Sequence, residues 1–347
     1  MQFIRNSIAR LEPYVPGYQP EDERAIKLNT NENPYPPSKH VLKALKDAVS
    51  GKLRLYPDST WRNLRRTASH TYTIGEEYLF FGNGSDEILS FIFRTFIDKN
   101  DIVLAPYPTY SYYEVMAHIH DAQFQYIETD DSFAIPLEKL KKSSAKIVFF
   151  SNPNTPTGLF IEESEIEDFL KSFNGLVVLD EAYIDFAPKS AYQLVKAYNN
   201  LIVVRTFSKS FSLCGLRVGY CFADPELIYA LLKVKESYNI NTLSQIAAAK
   251  ALEDIDHMKE NSRKIIQVRG KYTKVLKTMG FSVLPSASNF IFVKHERVPS
   301  REIYEYLFTH NIFIRYFKAR RLDEYLRITI GTEDHMQQLI EKISETI

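Results

Sequence analysis

The chain has 347 residues, more than one hydrophobic core usually holds, so two subdomains are expected. Its 43 basic and 43 acidic side chains balance, with 45% hydrophobic and 25% charged residues, so neither nucleic acid nor an acidic membrane surface is an expected partner. Cys214 and Cys221 supply no disulfide framework and no metal-ligand set, which suits a reducing cytoplasm, and neither a leader peptide nor a span of about 18 apolar residues is expected.

Residues 1–37 read as an extended arm, because Pro13, Pro16, Gly17, Pro20, Pro34, Pro36 and Pro37 break any long helix. Within the arm lies Lys27-Leu28-Asn29-Thr30-Asn31-Glu32-Asn33-Pro34, a polar cluster beside a proline that by itself is a turn. A helix is expected over 41–49, followed by Arg54-Leu55-Tyr56-Pro57-Asp58 as a loop tip. A strand over 78–81 then runs into Gly82-Asn83-Gly84-Ser85-Asp86-Glu87, which opens a helix. The glycines allow a tight turn and close approach of a ligand, and the free N–H groups at the helix start suit an anion. Glu87 stands where a dinucleotide fingerprint wants its third glycine. The plain alternative is a helix cap made by Ser85 or Asp86.

A strand over 102–105 leads to Pro106-Tyr107-Pro108-Thr109-Tyr110, with Tyr112 and Tyr113 close behind. Strands over 122–127 and 147–151 follow, the second entering Asn152-Pro153-Asn154-Thr155-Pro156-Thr157-Gly158. After an amphipathic helix over 162–173, an apolar strand over 175–179 ends in Asp180-Glu181-Ala182-Tyr183. An acid at the carboxyl end of a buried parallel strand lies where open α/β sheets bind ligands, and a buried carboxylate needs a cation. A lone Asp in this place also commonly caps the next turn.

The densest chemistry lies between the apolar runs 201–204 and 218–223: Arg205, Thr206, Ser208, Lys209 and Arg217. A lysine held between two buried strands reads as a nucleophilic amine, with Arg205 and Arg217 beside it. Thr206, Ser208 and Arg217 offer the hydroxyls and the forked cation that a phosphate takes. Helices are expected over 225–238, 241–252 and 257–279. Strands over 281–284, 290–293, 312–315 and 325–329, with helices over 301–309 and from 332, complete an α+β unit.

Ser/Thr-x-Ser-Lys with an arginine eight positions later resembles the lysine segment of fold-type I pyridoxal-phosphate (PLP) aminotransferases. Pro13-Tyr14-x-Pro16-Gly17, the N-E-N-P segment, R-x-Y-P at 54–57 and Leu326-Arg327-Ile328-Thr329-Ile330-Gly331-Thr332 resemble the histidinol-phosphate aminotransferase branch. The motifs run in order from Pro13 to Thr332. The resemblance implies an α/β fold in which a large domain, 38–250, carries a mostly parallel seven-stranded sheet flanked by helices. The arm 1–37 and residues 251–347 then make a smaller α+β domain.

The resemblance also implies a role for each matching residue. Lys209 bonds the cofactor, Asp180 holds its ring nitrogen protonated, Tyr183 reaches its 3′-oxygen and Tyr110 lies on its ring. Gly84, Ser85, Asp86, Thr206, Ser208 and Arg217 hold its phosphate. Asn154 or Thr155 contacts the 3′-oxygen, Asn154 being preferred for its longer reach. Tyr56 enters the site of a neighbouring subunit, which makes the expected unit a homodimer. Tyr14, Asn31, Arg315 and Arg327 bind substrate, with Arg327 on a carboxylate and Arg315 on a phosphate. The reaction implied is transamination between L-histidinol phosphate and 2-oxoglutarate, in the cytoplasm and without a metal. Its rivals are an aromatic amino-acid aminotransferase, a PLP-dependent decarboxylase of a phosphorylated amino acid, and a non-catalytic sensor domain of the same fold.

Overall fold

The computed structural model describes residues 3–13, 16–22 and 24–347. A short strand of the N-terminal arm, β1 (Ile26–Lys27), comes first. Then β2 (Leu79–Gly82), β3 (Ile102–Tyr107), β4 (Gln123–Glu128), β5 (Ile147–Ser151), β6 (Leu176–Asp180), β7 (Leu201–Thr206) and β8 (Gly219–Ala223) form one seven-stranded sheet. Its order is β2-β8-β7-β6-β5-β3-β4, parallel throughout except for β8, which runs against both neighbours. That is the mostly parallel sheet expected of the sequence.

The strands form where they do because their residues want burial on both faces. β2, β5, β7 and β8 are wholly buried and read as unbroken apolar runs, as strands covered by helices must. β4, at the edge, instead exposes Gln123, Gln125 and Glu128, charges and amides that discourage pairing with another sheet. Two helices that follow β8 start on side-chain caps. Asp224 accepts from the Glu226 N–H at 2.8 Å with Pro225 behind it, and Asn241 accepts from the Ser244 N–H at 2.9 Å. The helix Pro225–Val234 ends short of the expected residue 238, since Lys235 turns to extended backbone.

Beyond the helix Ile255–Thr278, β9 (Phe281–Val283), β10 (Phe290–His295), β11 (Ile312–Phe313), β12 (Arg315–Tyr316) and β13 (Leu326–Thr329) follow. The single strand expected over 312–315 is two. β11 pairs parallel with β1 of the arm, whereas β12 joins an antiparallel sheet ordered β12-β13-β10-β9. The break at Ile314 brings Arg315 into the same sheet as Arg327.

One hydrophobic core gathers buried side chains from Val41 to Met258 around the large sheet. A second packs Ile26 and Leu28 of the arm with the helix Ile255–Thr278 and the C-terminal strands, and includes Tyr183 and Phe186. Those two residues lie three and six positions past Asp180, so the second core rests on the turn beyond the carboxyl end of β6. No helix among the described residues is long and apolar enough to cross a membrane.

Candidate active site

A cavity of about 200 Å³ opens at the carboxyl ends of the parallel strands, between the two cores. Lys209, Asp180, Tyr183, Ser85, Asp86, Tyr110, Thr206, Ser208, Arg217, Asn31, Arg315 and Arg327 all line it. Residues far apart in sequence meet there because each sits at a strand end or on the turn just beyond it.

Lys209 follows β7 on a buried loop. Its Nζ donates to the Thr30 carbonyl at 3.0 Å and lies 5.8 Å from the centre of the Tyr183 ring. Asn33 Nδ2 donates to the carbonyls of Lys209 and Ser210, at 3.1 and 3.0 Å, so the arm clasps the lysine's backbone too. Asn31 Nδ2 donates to the Tyr183 hydroxyl at 3.0 Å. The N-E-N-P stretch is therefore structural wall and polar lining at once, rather than a surface turn.

Asp180 ends β6 almost wholly buried. Its carboxylate accepts from the Tyr113 hydroxyl at 2.9 Å and from the Ala182 N–H at 3.0 Å. Burial pushes its carboxyl up to about 6, against the pull of those hydrogen bonds. It has no ion-pair partner among the described residues. Tyr113 is a site residue that sequence reasoning passed over; the close run of tyrosines at 110, 112 and 113 was its only signal.

The turn from β2 into the helix Ser85–Phe96 has Gly84 at the cap position, at φ +85°, with no side-chain cap. The simple cap by Ser85 or Asp86 is thus not what forms. Asp86 instead accepts from the Tyr110 hydroxyl at 3.2 Å and from Arg217 Nη2 at 3.1 Å. The Tyr110 hydroxyl is pushed far up, first by burial and then by Asp86. Gly219 of β8 lies hard against this turn: a Cβ there would stand 2.4 Å from the Ser85 nitrogen and 2.6 Å from the Gly84 carbonyl carbon. Arg217, itself at φ +51°, donates to Ser208 Oγ at 3.4 Å, and the Ser208 N–H donates to Thr206 Oγ1 at 3.1 Å. Hydroxyls, a guanidinium and an uncapped helix start thus converge on one spot, donors of the kind a phosphate takes.

Five expectations need correction or qualification. Arg205 does not flank Lys209. Successive strand residues face opposite ways, so Thr206 faces the cavity while Arg205 turns to the far side. There it is buried with Asp185, and its Nε lies 3.7 Å from Glu181 Oε2. Asn154 does not line the cavity: its amide donates to the Pro108 carbonyl at 3.1 Å and Thr157 Oγ1 at 3.0 Å, and accepts from Ser151 Oγ at 2.9 Å. Thr155 lines the cavity instead and accepts from Arg327 Nη1 at 3.3 Å. Tyr56 is 79% exposed and stacked on Tyr238, outside its own chain's cavity. Tyr14 lies outside the described residues. Gly84 can reach the site only through its backbone, and a Cβ there would stand 2.7 Å from Arg217 Nη2.

Arg315 and Arg327 form the far wall. They are direct register partners on β12 and β13. Arg327 Nη2 also donates to the Asn29 carbonyl at 3.0 Å. A lysine amine, a buried acid, a cluster of hydroxyls beside a guanidinium and a pair of arginines therefore share one cavity. Among the described residues no group of His, Cys, Asp and Glu side chains is arranged to hold a metal.

Residues 23–343 match the family model described as aminotransferase class I and II. The chain is 43% identical over 346 residues to a histidinol-phosphate aminotransferase of Clostridium beijerinckii, covering 99% of this chain and 96% of that one. It is 42% identical over 350 residues to the enzyme of the same name from Brachyspira hyodysenteriae, covering 99% of each. Among solved structures it resembles the histidinol-phosphate aminotransferase of Sinorhizobium meliloti in complex with pyridoxal-5′-phosphate. The TM-score is 0.91 and the identity 26%, over 100% of this chain and 99% of that one.

Proposed function

The chain belongs to the class I and II aminotransferase family, and from that premise we propose that it moves the amino group of L-histidinol phosphate to 2-oxoglutarate. The products are imidazole-acetol phosphate and L-glutamate, a step of histidine biosynthesis expected in the cytoplasm. The cofactor is pyridoxal 5′-phosphate. The observation that carries the reading is the meeting of Lys209, buried Asp180 and the facing arginines in one cavity.

The residues present fit the cofactor. Asp180 is a buried carboxylate that lacks a cation, which a protonated ring nitrogen supplies. Gly219 leaves the space that keeps the Gly84–Ser85 turn uncrowded. Lys209 would hold the aldehyde carbon, Asp180 the ring nitrogen, Tyr110 the ring face, and Tyr183 with Thr155 the 3′-oxygen. The N–H groups of Ser85 and Asp86 at the helix start, with Thr206, Ser208 and Arg217, would hold the phosphate, joined by Tyr56 of a second copy. When bound, the cofactor supplies a sink for the electron pair left as the donor's C–H bond breaks.

The chain's own groups do the rest. Lys209 Nζ, as a free amine, takes the proton from the amine-bearing carbon of the donor. Its reach is set by the loop that Asn33 clasps. Asp180 keeps a negative charge where the ring nitrogen would hold its proton. Asn31 fixes the Tyr183 hydroxyl. Arg315 and Arg327 take the donor's phosphate and then the carboxylates of 2-oxoglutarate, which both present oxygens to a forked cation.

The test is visible absorption of the protein loaded with cofactor, before and after L-histidinol phosphate. The wild type should show a yellow band that bleaches with the donor and returns with 2-oxoglutarate. Lys209→Ala should show neither band nor turnover, with an unchanged circular dichroism spectrum. Bleaching by phenylalanine but not by L-histidinol phosphate would make it an aromatic aminotransferase. Release of carbon dioxide without need of a keto acid would make it a decarboxylase. A protein that forms no band overturns the reading.

A further inference from the structure

Arg315 and Arg327 face each other directly across β12 and β13. Like charges in that position repel, and their side chains start only about 5 Å apart. Arg327 is steadied by Thr155 and by the Asn29 carbonyl, and its guanidinium lies 5.3 Å from the Phe290 ring. The Arg315 guanidinium has no hydrogen bond or ion pair among the described residues. What it has is Phe317, whose ring centre is 5.2 Å from its guanidinium carbon. The same ring is 5.4 Å from the guanidinium carbon of Arg327.

Phe317 stands two positions after Arg315, so both point to the same face of the chain. The ring is itself held. It packs against the cluster of Phe133, Phe292, Leu322 and Tyr325. The loop beyond it is fastened to the edge of the large sheet, where Arg321 Nη1 donates to the Thr129 carbonyl at 2.9 Å. An aromatic face attracts cations by its quadrupole, which offsets part of the repulsion between two of them.

We propose that Phe317 is a positioning residue for substrate anions, its ring holding the Arg315 and Arg327 guanidiniums together in advance. An incoming phosphate or carboxylate then meets a preformed pair of cations and does not have to order two long side chains. The inference rests on the reading that this arginine pair binds the substrate's anionic groups.

The experiment uses cofactor-loaded wild type, Phe317→Leu, Phe317→Met and Phe317→Tyr. It measures steady-state kinetics with L-histidinol phosphate and 2-oxoglutarate, and binding of inorganic phosphate by calorimetry. Loss of two cation–ring contacts should raise KM for both substrates, and weaken phosphate, by about tenfold in the Leu and Met variants. The value of kcat, the yellow band and the melting temperature should stay near wild type. Phe317→Tyr keeps the aromatic face and should restore affinity to within about twofold. KM and phosphate affinity unchanged in the Leu and Met variants overturn the proposal. So does a matching loss of kcat and melting temperature, which would mark a structural role, or a wild type that binds no phosphate. If the wild type does not turn over L-histidinol phosphate, yet phosphate and 2-oxoglutarate binding still weaken in the variants, the substrate reading fails and the role of Phe317 stands.

Discussion

Asp180 and Glu181 are neighbours in sequence with opposite fates, because β6 ends there and the chain alternates faces. Asp180 turns to the cavity; Glu181 turns to the buried Arg205 and accepts from the Ala191 N–H at 2.8 Å. Burial pushes Asp180 up to about 6, from an ordinary 3.8. The folded chain therefore binds this proton more tightly than the unfolded chain between those values. The destabilisation it causes is full above about pH 6 and is gone below about pH 4. Asp180→Asn should accordingly raise the melting temperature of the cofactor-free protein at pH 8 by a few degrees, on the order of 1–3 kcal/mol. The gain should fade toward pH 4, and turnover should fall about a hundredfold or more. Calorimetry across pH, beside an activity assay, checks both; a variant that is less stable at pH 8 would refute the assignment of Asp180 as a carboxylate awaiting a cation. Asp180 and Lys209 were legible in the sequence because each follows an apolar strand. Arg205 was misread for want of its parity on β7, and Asn154 because amide reach says nothing of where an amide points.

The junction of β2, the helix Ser85–Phe96 and β8 shows what one element requires of another. Gly82 and Gly219 are register partners, and Gly219 has backbone, not a flexible side chain, within 2.6 Å of where its Cβ would be. Gly219→Ala must push the Gly84–Ser85 turn aside. It should cost about 1–3 kcal/mol of stability and loosen the cofactor's phosphate, so that the yellow band is lost faster on dialysis. Retention equal to wild type would show that the turn does not form the phosphate cradle. The glycines at 82 and 84 announced a tight turn from the sequence alone, whereas Gly219 gave no sign, since its partner is more than a hundred positions away. A change of sheet partner hid the break between β11 and β12. Ile312 pairs with Ile26 and Arg315 with Arg327, and an apolar run carries no mark of which sheet each residue joins.

Over the whole molecule, the arm adds polar ties between the two cores beyond those made by Tyr183 and Phe186. Thr329 Oγ1 donates to Asn31 Oδ1 at 3.0 Å and Asn289 Nδ2 to the Asn31 carbonyl at 2.9 Å, while Asn33 holds the lysine loop. Away from the cavity, Leu53, Leu55, Tyr56 and Tyr238 are exposed, with Tyr56 and Tyr238 stacked at 4.4 Å. An apolar patch of this kind marks an interaction surface, and a second copy of the chain is the proposed occupant. Sedimentation should give twice the 40.2 kDa chain mass, and Tyr56→Asp should shift it toward one chain and weaken cofactor retention. A wild-type monomer that keeps its cofactor would remove Tyr56 from the site. By itself the sequence determined the strand-and-helix alternation, the strand-end positions of the lysine and the acid, and the tight glycine turn, because these depend on apolar runs and on chemistry concentrated within a few residues. Only the tertiary structure decided that Thr155 and not Asn154 lines the cavity, that Arg205 belongs to a buried ion cluster, and that Arg315 opposes Arg327 beside Phe317. Side-chain direction and long-range register are set by packing between distant segments, which spacing along the chain does not encode.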